Sequence, residues 1–254
     1  MENQLEAGKS GVPYLFRYRN NNKFTIDEIK NNYIFFPNSE KLNDPFDGSH
    51  KLIELNNDDE DIEKSYNYLK SKLVDTKSKN YFEEKFKDKN AFIDFMKNAI
   101  GEYINQTGIA CFSNSQINFM LWANYANNHQ GICVQYNIDY DKNFFKGLRN
   151  VNYVEDLKQI NYSIGNNEEE ILKIFHTKLK LWREEYEIRL TKNSTGKHTL
   201  NPKAIRSIIF GMRTSKKYQK KIIQTVKDYN SHIKVYKSQL MEVGFGLTLT
   251  EIEI

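Results

Sequence analysis

Short apolar runs outnumber the helical segments that could join them as parallel crossovers, and this excess limits the fold more than any other feature of the chain. Tyr14 to Arg19 alternates, with Tyr14, Phe16 and Tyr18 on one face and Leu15, Arg17 and Arg19 on the other, as a strand places them. Tyr33 to Phe36 is a second run, closed by Pro37, and residues 25–31 between the two read as a short helical turn. Further strands are expected at residues 108–112, 132–136, 151–154, 186–190, 204–210, 233–237 and 245–249. Helices are expected at residues 117–126, capped by Ser113, Asn114 or Ser115, and at residues 168–181 and 215–229, with a polar loop over residues 191–199. Residues 59–103 carry a helical pattern, which predicts two or three helices inserted at about residues 56–106 of a single domain spanning 1–254. The predicted class is α+β, with a mixed, largely antiparallel sheet.

Composition narrows the function classes. A chain of 254 residues, 39% hydrophobic and 28% charged, buries a full core and is not disordered. No apolar run approaches the roughly 18 residues that cross a bilayer, and the polar N-terminus lacks a signal core, so a cytoplasmic protein with no membrane partner is expected. Two cysteines, Cys111 and Cys133, exclude a disulfide framework or a structural zinc site. The net charge is +4, but residues 203–237 hold ten basic side chains and one acidic, a local +9 that leaves −5 for the rest. That stretch is either a surface for nucleic-acid phosphates or a solvated helix face. The acidic run from Glu54 to Glu63 reads as an exposed helix start, and no metal is expected.

The sharpest local pattern is Glu185-Tyr186-Glu187-Ile188-Arg189. Strand alternation puts Glu185, Glu187 and Arg189 on one face, an unusual load for a core strand unless the charges pair or act on a ligand. Asn43-Asp44-Pro45-Phe46-Asp47-Gly48 is a turn by chemistry. Asn43, Asp44 and Asp47 there either cap the turn or bind a metal or ribose, and Phe46 either plugs the core or stacks on a base. His129 is a candidate general base or a helix-end residue. Trp122 and Tyr125, three apart on a predicted helix, form either core or an aromatic wall. Gly211-Met212-Arg213-Thr214-Ser215 joins a strand to a helix start, where free amides and Arg213 suit a phosphate. P-loop, dinucleotide-fold, zinc-protease and serine-hydrolase signatures are absent from the sequence.

Five segments, in order, resemble the bacterial domain-of-unknown-function family 2971. They are Phe16-Arg17-Tyr18-Arg19, Leu42 to Asp47, Cys111-Phe112-Ser113 with Met120 to Ala126, His129 and Gly131 behind it, Trp182 to Arg189, and Ile208 to Gly211. That resemblance implies an architecture and candidate positions, not a reaction. The Glu185-x-Glu187 pair is also similar to the third motif of ADP-ribosyltransferases. There the second Glu bonds the nicotinamide ribose and stabilises an oxocarbenium-like transition state, while the first orients the acceptor. The resemblance further implies that Arg17 or Arg19 on the first strand holds the NAD phosphates and that Ser113, ending a strand, shapes the nicotinamide pocket. The implied protein takes NAD as substrate and a protein or nucleic acid as acceptor, as a bacterial toxin or phage-defence effector. The alternative reading is a nucleic-acid binder or metal-dependent nuclease using residues 203–237 and the acidic turn.

Overall fold

The computed structural model describes residues 14–55, 58–162 and 169–254. The N-terminal segment and Glu168, the expected first residue of a helix, lie outside them. The described chain opens with β1 (Tyr14–Arg19), α1 (Lys23–Asn31) and β2 (Tyr33–Phe36), and after the Asn43 turn comes β3 (Ile53–Leu55). Three helices follow, α2 (Asp59–Lys72), α3 (Thr76–Lys85) and α4 (Lys89–Gln106), as the helical pattern predicts. Next are β4 (Gly108–Ser113), α5 (Phe119–Tyr125), β5 (Ile132–Asn137), β6 (Arg149–Asn150), β7 (Asn152–Val154) and β8 (Ile160–Tyr162). The described chain closes with α6 (Glu169–Phe175), β9 (Thr177–Leu179), β10 (Glu187–Lys192), β11 (Gly196–Thr199), β12 (Ile205–Phe210), α7 (Lys216–Tyr229), β13 (Lys234–Leu240) and β14 (Leu247–Ile252).

Eight strands form one sheet in the order β14-β13-β12-β5-β1-β4-β10-β6. Its one parallel pair, β12 with β13, is joined by α7, and its other neighbours are antiparallel, so the class is α+β with a mixed, largely antiparallel sheet. β1 pairs along its whole length with β5, and β4 along its whole length with β10. Between β1 and β4 a single register position is shared, Phe16 opposite Ser113. The sheet is therefore two well-paired parts joined at one row, and Arg17 to Arg19 have no ladder partner on the β4 side.

Alternation along β1 sorts its side chains as the sequence predicts. Phe16 and Tyr18 pack with Leu121 and Trp122 of α5, while Leu15 joins the core under α1 and α7, with Ile29, Ile222 and Val226. A third core gathers Phe82, Phe86, Phe92 and Ile104 of the inserted helices against Ile109 of β4 and Phe175 of α6. α2 starts as the acidic run predicts: Asp58 caps it, with Asp59, Glu60 and Asp61 in the first turn, where carboxylates favour the helix dipole.

The structure corrects several boundaries. The helix expected over residues 168–181 ends at Phe175, because the backbone amide of Asn152 takes the carbonyl of His176 and β7 draws residues 177–179 into a parallel pair. A 3₁₀ segment, Lys180–Glu185, follows, and Tyr186 turns left-handed at φ 47°, so the strand begins at Glu187 rather than Tyr186. α5 is capped by Asn118, whose side chain accepts from the amides of Met120 and Leu121, and not by the serines before it. The expected polar loop contains β11, which pairs with β2. β3, β8 and β9 were not expected; each is three residues long, too short to display a period.

Candidate functional site

Arg189 is the fixed point of the site. β10 aims it and Glu187 to the same face, and its guanidinium is wholly buried. Nε donates to Glu187 Oε1 at 2.7 Å, and Nη2 to Glu187 Oε2 at 3.0 Å. Nη1 and Nη2 grip the two oxygens of Asp47, each at 2.5 Å, and Nη1 also reaches the Phe175 carbonyl at 2.8 Å. Two parallel donors on one carboxylate is the geometry that a planar guanidinium favours. Asp47 arrives from the predicted turn: Asp44 Oδ1 accepts the Phe46 amide at 3.0 Å, the Asp44 carbonyl accepts the Asp47 amide at 3.1 Å, and Gly48 turns at φ 64°. Phe46 is 58% exposed, so it does not plug the core.

A residue that the sequence reading missed completes the cluster. Lys178, on β9, places its ammonium 2.6 Å from Glu185 Oε2, 3.2 Å from Glu187 Oε2 and 3.9 Å from Asp47 Oδ2. Its side chain is 2% exposed, and the Trp182 ring lies 4.7 Å from the ammonium. The other Glu185 oxygen accepts from the Tyr125 hydroxyl at 2.8 Å. Glu185 is not on the strand; it ends the 3₁₀ segment, and the left-handed Tyr186 brings it back beside Glu187. Three carboxylates thus meet two cations in a buried space, a net charge of −1.

The environment treats the carboxyls differently. Burial pushes Glu187 up, but Arg189 and then Lys178 reverse this and hold it at about 2, ionised throughout the ordinary range. Burial raises the Glu185 carboxyl against the opposing pull of Lys178, and raises Asp47 against Arg189. Burial and then the Glu185 charge push the Tyr125 hydroxyl far up, so it remains a donor.

The opposite wall comes from β1. Arg17 is committed to the protein: Nη1 lies 3.4 Å from Glu28 Oε1, and Nη2 donates to the Phe35 carbonyl at 2.9 Å. Arg19 meets Glu28 Oε2 through Nε at 2.7 Å, with its side chain 25% exposed. Both line a cavity of about 350 Å³, together with Ser113, Tyr125, Lys178, Glu185, Glu187 and Arg189. The cavity opens where β1 and β4 part. Phe16, Ser113 and Glu187 form one cross-strand row and share a face, whereas Arg17 and Arg19 lie on the alternate face of β1 and reach the space through the split. Ser113 Oγ donates to the Glu185 carbonyl and accepts the Ser115 amide, both at 3.2 Å, so it ties the end of β4 to the 3₁₀ segment.

Other candidates fall outside. Trp122 is wholly buried, donates from its indole nitrogen to the Gln116 carbonyl and meets Tyr18 edge-on; it is core, not a cavity wall. His129, left-handed at φ 67°, stacks on Trp122 at the corner after α5. Its carbonyl accepts the Arg213 amide, and a Cβ on Gly211 would approach that oxygen to 2.2 Å, so it is the helix-end residue and not a base in the cavity. Arg213 is exposed beside it, away from the cavity, and Ser215 caps α7 with its own hydroxyl. Asn43 lines the cavity, while Asp44 is spent on the turn. Among the described residues no group of histidines, cysteines and carboxylates has metal-binding geometry, and the central positions between the carboxylates are taken by Lys178 and Arg189.

What these elements define is an α+β protein whose split sheet carries a buried ionic cluster on one wall and two arginines on the other. The chain matches no protein-family model, no curated protein and no solved structure. Among the described residues no helix is long and apolar enough to cross a membrane.

Proposed function

We propose that the protein is an ADP-ribosyltransferase-like enzyme of the cytoplasm that takes NAD as substrate, and that it belongs with the bacterial family of unknown function that it resembles. The observation that carries this is the convergence of Arg17 and Arg19, Ser113, and Glu185 with Glu187, from three neighbouring strands and the turn before the third, on one cavity. The meeting of Asp47 with Arg189, 142 residues apart, supports the family reading, since it joins two of the matched segments.

In this reading Arg19 holds the pyrophosphate: both arginines meet Glu28, but the Arg19 side chain is 25% exposed against 8% for Arg17, which also donates to the Phe35 carbonyl. Glu187, ionised at every working pH, faces the ribose carbon and stabilises the positive charge that grows there as the bond to nicotinamide breaks. Nicotinamide leaves with the bonding pair and becomes neutral. The acceptor heteroatom bonds to that carbon, and its proton passes to the Glu185 carboxylate. The same path with water as acceptor is NAD hydrolysis. Arg19→Ala is expected to weaken NAD binding about tenfold or more, the worth of a charge-assisted contact. Calorimetry on Arg19→Ala beside Arg17→Ala checks the assignment; an unchanged dissociation constant for Arg19→Ala overturns it.

A second reading, a nucleic-acid partner or acceptor, is favoured by α7. Lys216, Lys217, Lys220, Lys221 and Lys227 are all exposed there. Among the described residues none of the five has an acidic side chain within ion-pair distance. This reading expects binding to a labelled duplex or single strand to fall with salt, and the log–log slope to drop by about 0.7–0.9 for each lysine contact removed. Glutamine at all four of Lys216, Lys217, Lys220 and Lys221 tests it; an unchanged slope rejects it.

A further inference from the structure

Glu185 and Glu187 end up beside each other with unequal support. Both oxygens of Glu187 are held by Arg189, and this grip does not involve Lys178. Glu185 has no such guanidinium. Its partners among the described residues are the neutral Tyr125 hydroxyl from α5 and the Lys178 ammonium from β9. The other charged groups in the cluster are Glu187 and Arg189 on β10 and Asp47 from the turn, with the Tyr153 hydroxyl of β7 accepting the Glu187 amide. Removal of the ammonium would leave Glu185 facing two carboxylates in a space from which water is largely excluded.

We propose that Lys178 is a positioning residue of this site: its ammonium bridges the two glutamates, keeps Glu185 ionised and aims it at the cavity, ready to take the acceptor's proton. The inference rests on the transferase reading for the proton's destination, but its electrostatic half stands on geometry alone. A buried cation 2.6 Å from one carboxylate and 3.2 Å from the next is more than a core filler, because leucine in its place would strand the Glu185 charge and take one cationic contact from Glu187. The Trp182 ring over the ammonium fixes the lysine from a further side, in a cation–π contact. The directions agree: Lys178 is the first group opposing the burial that raises Glu185, and Glu187 and Glu185 together raise the Lys178 ammonium against burial.

The test is a carbon-13 carboxyl titration by NMR, with the Glu185 signal assigned by its loss in Glu185→Gln. In Lys178→Met the Glu185 midpoint is expected to rise by about 1–3 pH units, as for a carboxyl losing an adjacent cation, while Lys178→Arg leaves it near the wild-type value. The acid limb of nicotinamide release moves up by the same amount in Lys178→Met. A Glu185 midpoint that does not move in Lys178→Met overturns the proposal. If Lys178→Met fails to fold, the wild-type protein decides: the nitrogen-15 signal of Lys178 must shift at the Glu185 midpoint, and an invariant signal overturns the proposal. Wild-type protein that releases no nicotinamide at any pH removes the transferase reading instead, and the two titrations still decide the role of Lys178.

Discussion

Arg189→Met is expected to lower the stability of the protein by about 3–5 kcal/mol at neutral pH, the cost of leaving buried charges uncompensated. Asp47 loses both of its guanidinium contacts and Glu187 loses two of its three cationic contacts, in a cluster whose members are almost fully buried. The pH dependence carries a sign. In the wild type Glu187 is depressed to about 2 from its ordinary 4.5, so its stabilising contribution is present above 4.5 and is lost as pH falls towards 2. Asp47 is raised even with Arg189 in place, so it costs stability once pH rises through its folded value. Without Arg189 both carboxyls are raised, and the variant is relieved by acid. Urea unfolding of wild type and Arg189→Met at about pH 7 and about pH 4 should therefore show a large gap that narrows at the lower pH. A variant as stable as wild type at pH 7 would show that the cluster contributes nothing to the fold. The double variant Asp47→Leu with Arg189→Met should regain part of the loss, because an apolar pair replaces one carboxylate together with its cation.

The second large effect concerns turnover. Glu187→Gln keeps the shape of the side chain and removes the negative charge that faces the cavity. Under the proposed transferase reading, nicotinamide release is expected to fall about 10²–10³-fold, the usual worth of one preorganised electrostatic group, with NAD affinity changed far less. The amide cannot attract the developing ribose cation, whereas Arg19 on the opposite wall is untouched. Steady-state release beside calorimetric binding separates the two quantities. Equal loss of binding and rate would mean that Glu187 shapes the cavity and takes no part in the transition state.

Much of the fold could be read locally. The period-2 alternation of β1, the turn chemistry of Asn43 to Gly48 and the polar–apolar helix pattern before β4 each report a preference carried within a few residues. The site was legible in parts and not in its assembly. Asp47 and Arg189 were each conspicuous, but nothing in their spacing says that they meet across 142 residues. Lys178 was hidden by its own neighbourhood. It falls in the segment expected as one helix over residues 168–181, and there burial runs against hydropathy: Lys178 is buried and Leu181 is 83% exposed. Lys180, two residues on, is a surface residue paired with Glu155, so residue type alone does not separate the two. The available signal was indirect: two glutamates and an aspartate drawn into one site need more than one cation. Tyr125 and Trp122 share a helix face in sequence, but the tryptophan is closed in by Phe16 and Tyr18, while the tyrosine hydroxyl reaches Glu185.

The central claim is that the split between β1 and β4 is an NAD site served by Glu187, and one measurement meets it directly. Purified protein is titrated with NAD into the millimolar range by calorimetry while free nicotinamide is followed in the same samples, for wild type and Glu187→Gln. The account predicts saturable binding by both proteins, with nicotinamide release by the wild type that the variant lacks. No binding at millimolar NAD, or release that Glu187→Gln retains in full, would contradict it.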